Sequence, residues 1–410
     1  MKETNFKSSP LGQIPHDWEA TPLGNLGDVQ MCKRIFSEQT TETGEIPFFK
    51  IGTLGKEPDA FITRQLYDEY RRRFNFPKKG ELLISAAGTI GRTLKYDGED
   101  CYYQDSNIVW LRNDETKISN RFLEHAFKII KWQSQDGGTI SRLYNSNFRA
   151  TLCCHPKSSI EQSRIADVLN DIDKLIFTTE ELLQKKRAIK QGTMQELLTG
   201  KRRLPGFSKP WITYNVFSDS NVYARIGWQG LTTEEYLSLG DYYIIGGTDF
   251  VNERIDWKNA KFVSFQRYIQ DTNIQLKLND VLISKDGTIG KVAFVDSLPN
   301  EATLNSGIFV LRSKNENLNQ QFLAMIFLSN LFSKFISKIS AGSTIKHLFQ
   351  RDIIKFSFEA PQDINEQLSI VNIISDMNNE IVALESNLSK FQSLREGMMQ
   401  QLLTGKIRLI

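Results

Sequence analysis

Histidine and cysteine are scarce in this chain of 410 residues, with four of each, and neither is spaced for chemistry. His16, His125, His155 and His347 lie far apart, without the short paired spacing a metal site uses, so each reads as structural or exposed. Cys32, Cys101, Cys153 and Cys154 contain no C-x-x-C pair, and adjacent Cys153 and Cys154 make a poor disulfide framework. A reducing cytoplasm is the natural compartment for such a chain. No apolar run reaches the roughly 18 residues of a membrane span, and the N-terminus lacks the apolar core of a signal peptide. Neither a membrane segment nor a leader is expected. Pro-Pro occurs nowhere, which removes the proline loop an amino-methyltransferase sets beside its target nitrogen. G-x-x-x-x-G-K-[ST] is missing, so no loop cradles a nucleotide phosphate. Gly88-Thr89-Ile90-Gly91 lacks the third glycine of a dinucleotide fingerprint. Pro58-Asp59 has no Glu-x-Lys at a useful distance and reads as a turn. The expectation is a protein that binds rather than catalyses, with no catalytic residue, metal or cofactor of its own.

What the chain has instead is one long stretch used twice. Glu161-Gln162-Ser163-Arg164-Ile165 opens the first copy, and Leu197-Leu198-Thr199-Gly200-Lys201 ends it. The second runs from Glu366-Gln367 to Leu402-Leu403-Thr404-Gly405-Lys406; Glu161 recurs as Glu366 and Thr199 as Thr404, each 205 positions on. Apolar residues step by four and three along Ile370, Ile374, Met377, Ile381, Leu384, Leu388 and Phe391, then Met398. That is the seam of a helix built to lie along another helix. The first copy holds the seam at Ile165, Leu169, Ile172, Ile176 and Leu183, then weakens at Lys186 and Gly192. Gly200 and Gly405 stand where a helix C-cap is expected. As a helix, Gln162 to Thr199 would span roughly 57 Å. A helix that long with one narrow stripe needs a partner, and the other copy in the same chain is the natural one. Two unrelated amphipathic helices, each packed on its own domain, is the plainer alternative.

The segments between repeat more loosely. Leu82-Leu83-Ile84-Ser85-Ala86-Ala87-Gly88-Thr89-Ile90-Gly91-Arg92 matches Val281-Leu282-Ile283-Ser284-Lys285-Asp286-Gly287-Thr288-Ile289-Gly290-Lys291. A buried strand, a glycine-punctuated turn and a returning strand is the simplest reading. Strands at Ile108–Arg112 and Ile308–Arg312 follow, then helices over Asn120–Lys131 and Asn319–Lys338. Ser141-Arg142 matches Lys346-His347. The chain length suits about two to four domains. The expected α/β (α+β) order is a mixed domain over 1–158, a long helix over 159–204, a second mixed domain over 205–362 and a second long helix over 363–410.

A net charge of +3 does not by itself announce nucleic acid, so the distribution must carry that argument. Arg64, Arg71, Arg72, Arg73, Lys78 and Lys79 cluster among Tyr67, Tyr70, Phe74 and Phe76. Such a cluster is either a solvated helix face or a surface for phosphates and base edges. Basic residues at matching turn positions favour the second: Arg92 with Lys291, and Ser141-Arg142 with Lys346-His347, which adds Arg142 and Lys346 to the set. Lys285 and Arg351 complete the candidate DNA-facing set.

These residues resemble the specificity subunits of Type I restriction–modification enzymes. The resemblance spans essentially the whole chain. It rests on the Glu-Gln-x-x-Ile starts, the Leu-Leu-Thr-Gly-Lys ends and the Ser-x-x-Gly-Thr-Ile-Gly turns, all present twice. It implies a non-catalytic DNA-reading subunit with two target recognition domains, each reading half of a bipartite site. The long helices would pack as an antiparallel intramolecular coiled coil, giving a pseudo-twofold frame and a spacer. The implied partners are double-stranded DNA, two methyltransferase subunits that use S-adenosylmethionine, and two ATP-dependent restriction subunits. A self-sufficient methyltransferase or nuclease, or a coiled-coil adaptor that binds only proteins, are the competing readings.

Overall fold

The computed structural model describes residues 5–132, 142–340 and 347–410. The chain forms two units: Met1–Glu180 with Ser386–Ile410, and Glu181–Glu385. Each is built on a four-stranded antiparallel sheet. In the first unit the strand order is Gly27–Met31, Ile108–Asn113, Leu82–Ser85, Thr93–Lys95. In the second it is Ser220–Ala224, Ile308–Ser313, Val281–Ser284, Val292–Phe294.

The central strands are apolar throughout because they are buried on both faces. Side chains alternate along a strand, so successive residues enter different cores. Leu82, Ile84, Val109 and Leu111 join one core with Trp18, Phe122 and Phe127. Leu83, Ile108 and Trp110 point the other way, into a core with Tyr67, Tyr102 and Tyr103. The second unit repeats the scheme, with Val281, Ile283, Phe309 and Leu311 in one core and Leu282, Ile308 and Val310 in another. A three-stranded sheet covers the second core of each unit. Its order is Phe61–Ile62, Ile46–Phe49, Tyr102–Tyr103 in one unit, and Lys261–Val263, Tyr242–Ile245, Ala302–Leu304 in the other.

The long helices are Ser159–Leu197 and Ile364–Leu402. Each contributes part of its length to each unit, and within a unit the two segments run antiparallel. In the first unit Arg164 reaches the Leu409 carbonyl and Arg395 pairs with Asp173. In the second, Lys186 pairs with Glu380 at 2.6 Å, Lys190 donates to Asn378 at 2.9 Å, and Arg203 pairs with Glu366 at 2.6 Å. Seam residues that also meet a domain core are fully buried: Ile165, Leu169, Ile370 and Ile374. Ile172, Leu183 and Ile381 are buried as well. Ile176, Met377, Leu384, Leu388, Phe391 and Met398 are half-buried, because a two-helix pair leaves the flanks of its seam open. Lys186, at the weakened seam position, is half-buried and its ammonium meets Glu380.

The expected single helix over Asn319–Lys338 is two helices, Gln320–Phe327 and Asn330–Ser340, bent by 54°. Ser329 causes the break. Its hydroxyl donates to the Ile326 carbonyl at 2.6 Å and accepts from the Leu331 N–H at 3.2 Å, ending one helix and capping the next. Among the described residues no single helix is long and apolar enough to cross a membrane.

The repeated Glu-Gln pair does structural work. Glu161 is buried and receives Arg408 through both carboxylate oxygens, at 2.6 and 2.8 Å, with the Trp18 indole N–H at 3.3 Å. Arg408 also reaches Asp17 at 2.6 Å. Glu366, fully buried, receives Arg203 at 3.1 and 2.6 Å. Gln162 donates to the Lys117 and Pro156 carbonyls and accepts from the Ser119 N–H; Gln367 does the same with Asn317, Pro361 and Asn319. Each helix start is thus clasped by the arginine that follows the other helix. Gly405, at φ 72°, lets that tail turn against the domain, since a Cβ there would stand 2.4 Å from the Pro15 ring.

His125 and His155 are almost fully buried in the first unit. Burial holds both imidazoles below their ordinary value. A free histidine titrates near about 6.5, so below that pH the unfolded chain binds more protons than the folded one and stability falls. The melting midpoint is expected to hold above about pH 6.5 and to drop on acidification toward pH 5. His155→Asn should flatten that limb; a parental midpoint that rises on acidification would contradict the sign.

Candidate nucleic-acid interface

The glycine turn that joins Leu82–Ser85 to Thr93–Lys95, and Val281–Ser284 to Val292–Phe294, is held by one serine in each unit. Ser85 donates to the Thr89 carbonyl at 2.5 Å and accepts from the Arg92 N–H at 2.9 Å. Ser284 does the same with Thr288 and Lys291, at 2.5 and 3.0 Å. Gly88, Gly91, Gly287 and Gly290 all have positive φ. At Gly91 a Cβ would collide with Trp132 at 2.3 Å, so the chain can pass the indole only as glycine. The turn is therefore a fixed platform, and a short segment docks on it. Leu143 donates to the Ala86 carbonyl and Leu348 to the Lys285 carbonyl, each at 2.8 Å.

The platforms carry basic side chains of different kinds. In the first unit Arg92 is half-buried and reaches the Leu54 carbonyl at 3.4 Å, while Arg142 is exposed opposite Ala87. In the second unit Lys291 donates to the Phe250 carbonyl, and Lys285 lies over the Phe309 ring at 5.2 Å, where burial lowers its pKa. Arg351 is exposed and stacks on Phe349 at 4.6 Å. Asp286 faces His347 across the same bridge that joins Ala87 and Arg142 in the first unit. That acid–imidazole contact was not among the expected residues; its place beside the turn was the available signal. Lys346 lies outside the described residues.

The Arg64–Arg73 helix is largely neutralised by its own neighbours. Arg64 meets Asp100 at 2.5 Å and Glu45 at 2.9 Å, and Arg71 meets Asp100 at 3.0 Å and the Tyr67 hydroxyl at 2.7 Å. These bonds, first that from Arg64, hold the Asp100 carboxyl below its usual range. Arg73 pairs with Glu69 at 2.6 Å, and Arg72 donates to the Asp68 carbonyl at 2.9 Å. Lys78 and Lys79 are exposed and form no ion pair among the described residues. With Arg71, Phe76 and Tyr96 they line a shallow cleft of about 480 Å³. No group of three or more histidine, cysteine, aspartate or glutamate side chains that could hold a metal occurs among the described residues.

Solved structures share this architecture. The S subunit of a type I restriction–modification system from M. genitalium matches at 15% identity with a TM-score of 0.63, over 98% of this chain and 97% of that one. A chain from a structure of type I R-M complex assembly matches at 14% identity and TM-score 0.54. At these identities the likeness is one of fold. In sequence, a Haemophilus influenzae chain described as a type I restriction enzyme specificity subunit is 52% identical over 175 residues, 43% of this chain and 45% of that one. The Methanocaldococcus jannaschii MjaVIII specificity subunit is 20% identical, covering 100% of this chain and 97% of its own. The model of the Type I restriction modification DNA specificity domain matches twice, at residues 15–191 and 230–390. The chain belongs to this family, and is a specificity subunit of the Type I restriction–modification class.

Titration with duplex DNA at several salt concentrations should separate the two basic groups. Lys78→Ala and Lys79→Ala are each expected to reduce the salt slope by about one and to weaken binding alike on all sequences. Arg73→Ala, whose charge Glu69 already balances, should change it less. Equal slopes in the lysine variants and the parent would remove them from the interface.

Proposed function

We propose that each unit reads one half of a bipartite DNA sequence, and that the helix pair sets the unread spacer and docks two methyltransferase subunits. The observation that carries this reading is the matched pair of serine-held glycine platforms, each edged with basic side chains, in a chain whose family model matches once per half. The chain itself is then a non-catalytic subunit. Adenine methylation from S-adenosylmethionine falls to the methyltransferases, and cleavage to two ATP-dependent restriction subunits. Gly192 and Gly397 support the docking role: a side chain at either would meet nothing within 4 Å, so nothing inside the chain requires glycine there, and the helix surface is open to a partner. Four free cysteines suit a cytoplasmic site of action. Neither a self-sufficient methyltransferase or nuclease nor a protein-only adaptor draws support from the family match.

Inserting one heptad into each long helix adds about 10 Å, close to three base pairs. The altered chain, expressed with its methyltransferase partner, should methylate the same two half-sequences with a longer gap between them. An unchanged gap in the sequenced methylome would sink the ruler. Replacing residues 11–155 with the corresponding domain of another family member should change one half-sequence only.

A further inference from the structure

Two aromatic residues stand where the local rules of helix building do not want them. The short helices Asn145–Ala150 and Gln350–Ile353 begin on Tyr144 and Phe349, and neither has a side-chain cap. Five other α-helices begin on Thr63, Ser119, Asn215, Ser264 and Asn319, whose side-chain oxygens each accept from a backbone N–H inside the first turn, although the 3-10 turns after Phe36 and Ile226 begin without such a cap. A capping serine, threonine or asparagine stabilises a helix start over a residue that cannot cap, so both copies forgo stability at the same place. Nor does burial compensate. Tyr144 is 50% exposed and Phe349 45%.

Each has an arginine close by in the chain, Arg142 in one unit and Arg351 in the other, and in the second unit Asp286 pairs with the neighbouring His347. Each follows directly on the segment that hydrogen-bonds to its glycine platform, through Leu143 to Ala86 or Leu348 to Lys285. Arg142 stands two residues before Tyr144 on that segment. Beside Phe349, Arg351 lies over the ring at 4.6 Å and His347 approaches it edge-on at 4.8 Å. A half-exposed aromatic ring with an arginine close by suits a ligand that offers both a flat apolar surface and negative charge. A nucleic acid is that ligand: bases stack on aromatic faces while phosphates meet the cations.

The geometry points to Tyr144 and Phe349 as DNA-contacting residues, one per half-site, that pack against bases or sugars while the flanking cations hold the backbone. This rests on the recognition reading above and adds to it the side chains that touch the duplex. Both positions were invisible to a search for basic clusters, because the informative signal is an aromatic where a cap belongs.

The test uses the full chain assembled with its methyltransferase subunits, and two duplexes of equal length. One carries the site found by sequencing the methylated genome; the other carries the same bases scrambled. Tyr144→Ser and Phe349→Ser each install a capping hydroxyl, so each should raise the melting midpoint by about 2 °C. Each should also weaken binding to the site duplex about five- to 150-fold, with the salt slope unchanged. Phe349→Tyr should restore most of the affinity. Variants that bind the site duplex within twofold of the parent would overturn the contact. So would a fall in melting midpoint that tracks the loss of binding, since that would mark a structural role. A parental assembly with no preference between the duplexes would instead defeat the recognition reading itself.

Discussion

The buried pairing of Glu161 with Arg408, and of Glu366 with Arg203, is the constraint on which the rest of the molecule depends. A buried carboxylate is tolerable only when paired and hydrogen-bonded, and breaking such a pair leaves an uncompensated charge in the interior. Here the partner never comes from the same helix. Glu161 starts one long helix and its arginine follows the end of the other; Glu366 and Arg203 reverse the relation. Each unit is therefore finished only when the tail of the opposite helix has arrived. The neighbouring glutamines extend the clasp into the domain, tying the helix start to the turn before Phe122 in one unit and Phe322 in the other.

That arrangement separates what is fixed from what is free to vary. The clasp, the seam and the serine-held platforms are alike in the two halves, and they set backbone positions. The platform edges are not alike. Ala87 and Arg142 face each other in one unit, Asp286 and His347 in the other. Alanine beside arginine offers donors only, whereas aspartate beside histidine offers a carboxylate acceptor as well. In the proposed function, where the two units read different half-sequences, such a difference on a common scaffold is what the chemistry calls for.

Much of the fold was legible in the sequence. Their continuous apolar runs made Leu82–Ser85 and Val281–Ser284 readable as buried strands, and the four-three spacing of Ile370 to Phe391 made the helix pair readable. The break at Ser329 was hidden, because the apolar periodicity runs through it and only the local hydroxyl bonds end the helix. The clasp was half visible. Glu161 and Glu366 marked the helix starts, but their arginines lie far along the chain and only the fold brings them together. The arginine run at Arg71–Arg73 was legible as charge, but its ion pairs were not. Asp100 and Glu69, which neutralise much of it, are ordinary surface acids until the structure sets them against it. The exposed aromatics escaped because composition cannot tell a core tyrosine from one at a helix cap.

The central claim is that each half closes on itself through its clasp. Glu181–Glu385 is a contiguous segment holding both Arg203 and Glu366. Thermal unfolding of that fragment by circular dichroism, beside the same fragment carrying Arg203→Ala, tests the claim most directly. The account predicts a cooperative transition in the fragment and a clearly lower midpoint in the variant. A fragment without a cooperative transition, or a variant that melts with its parent, would contradict it.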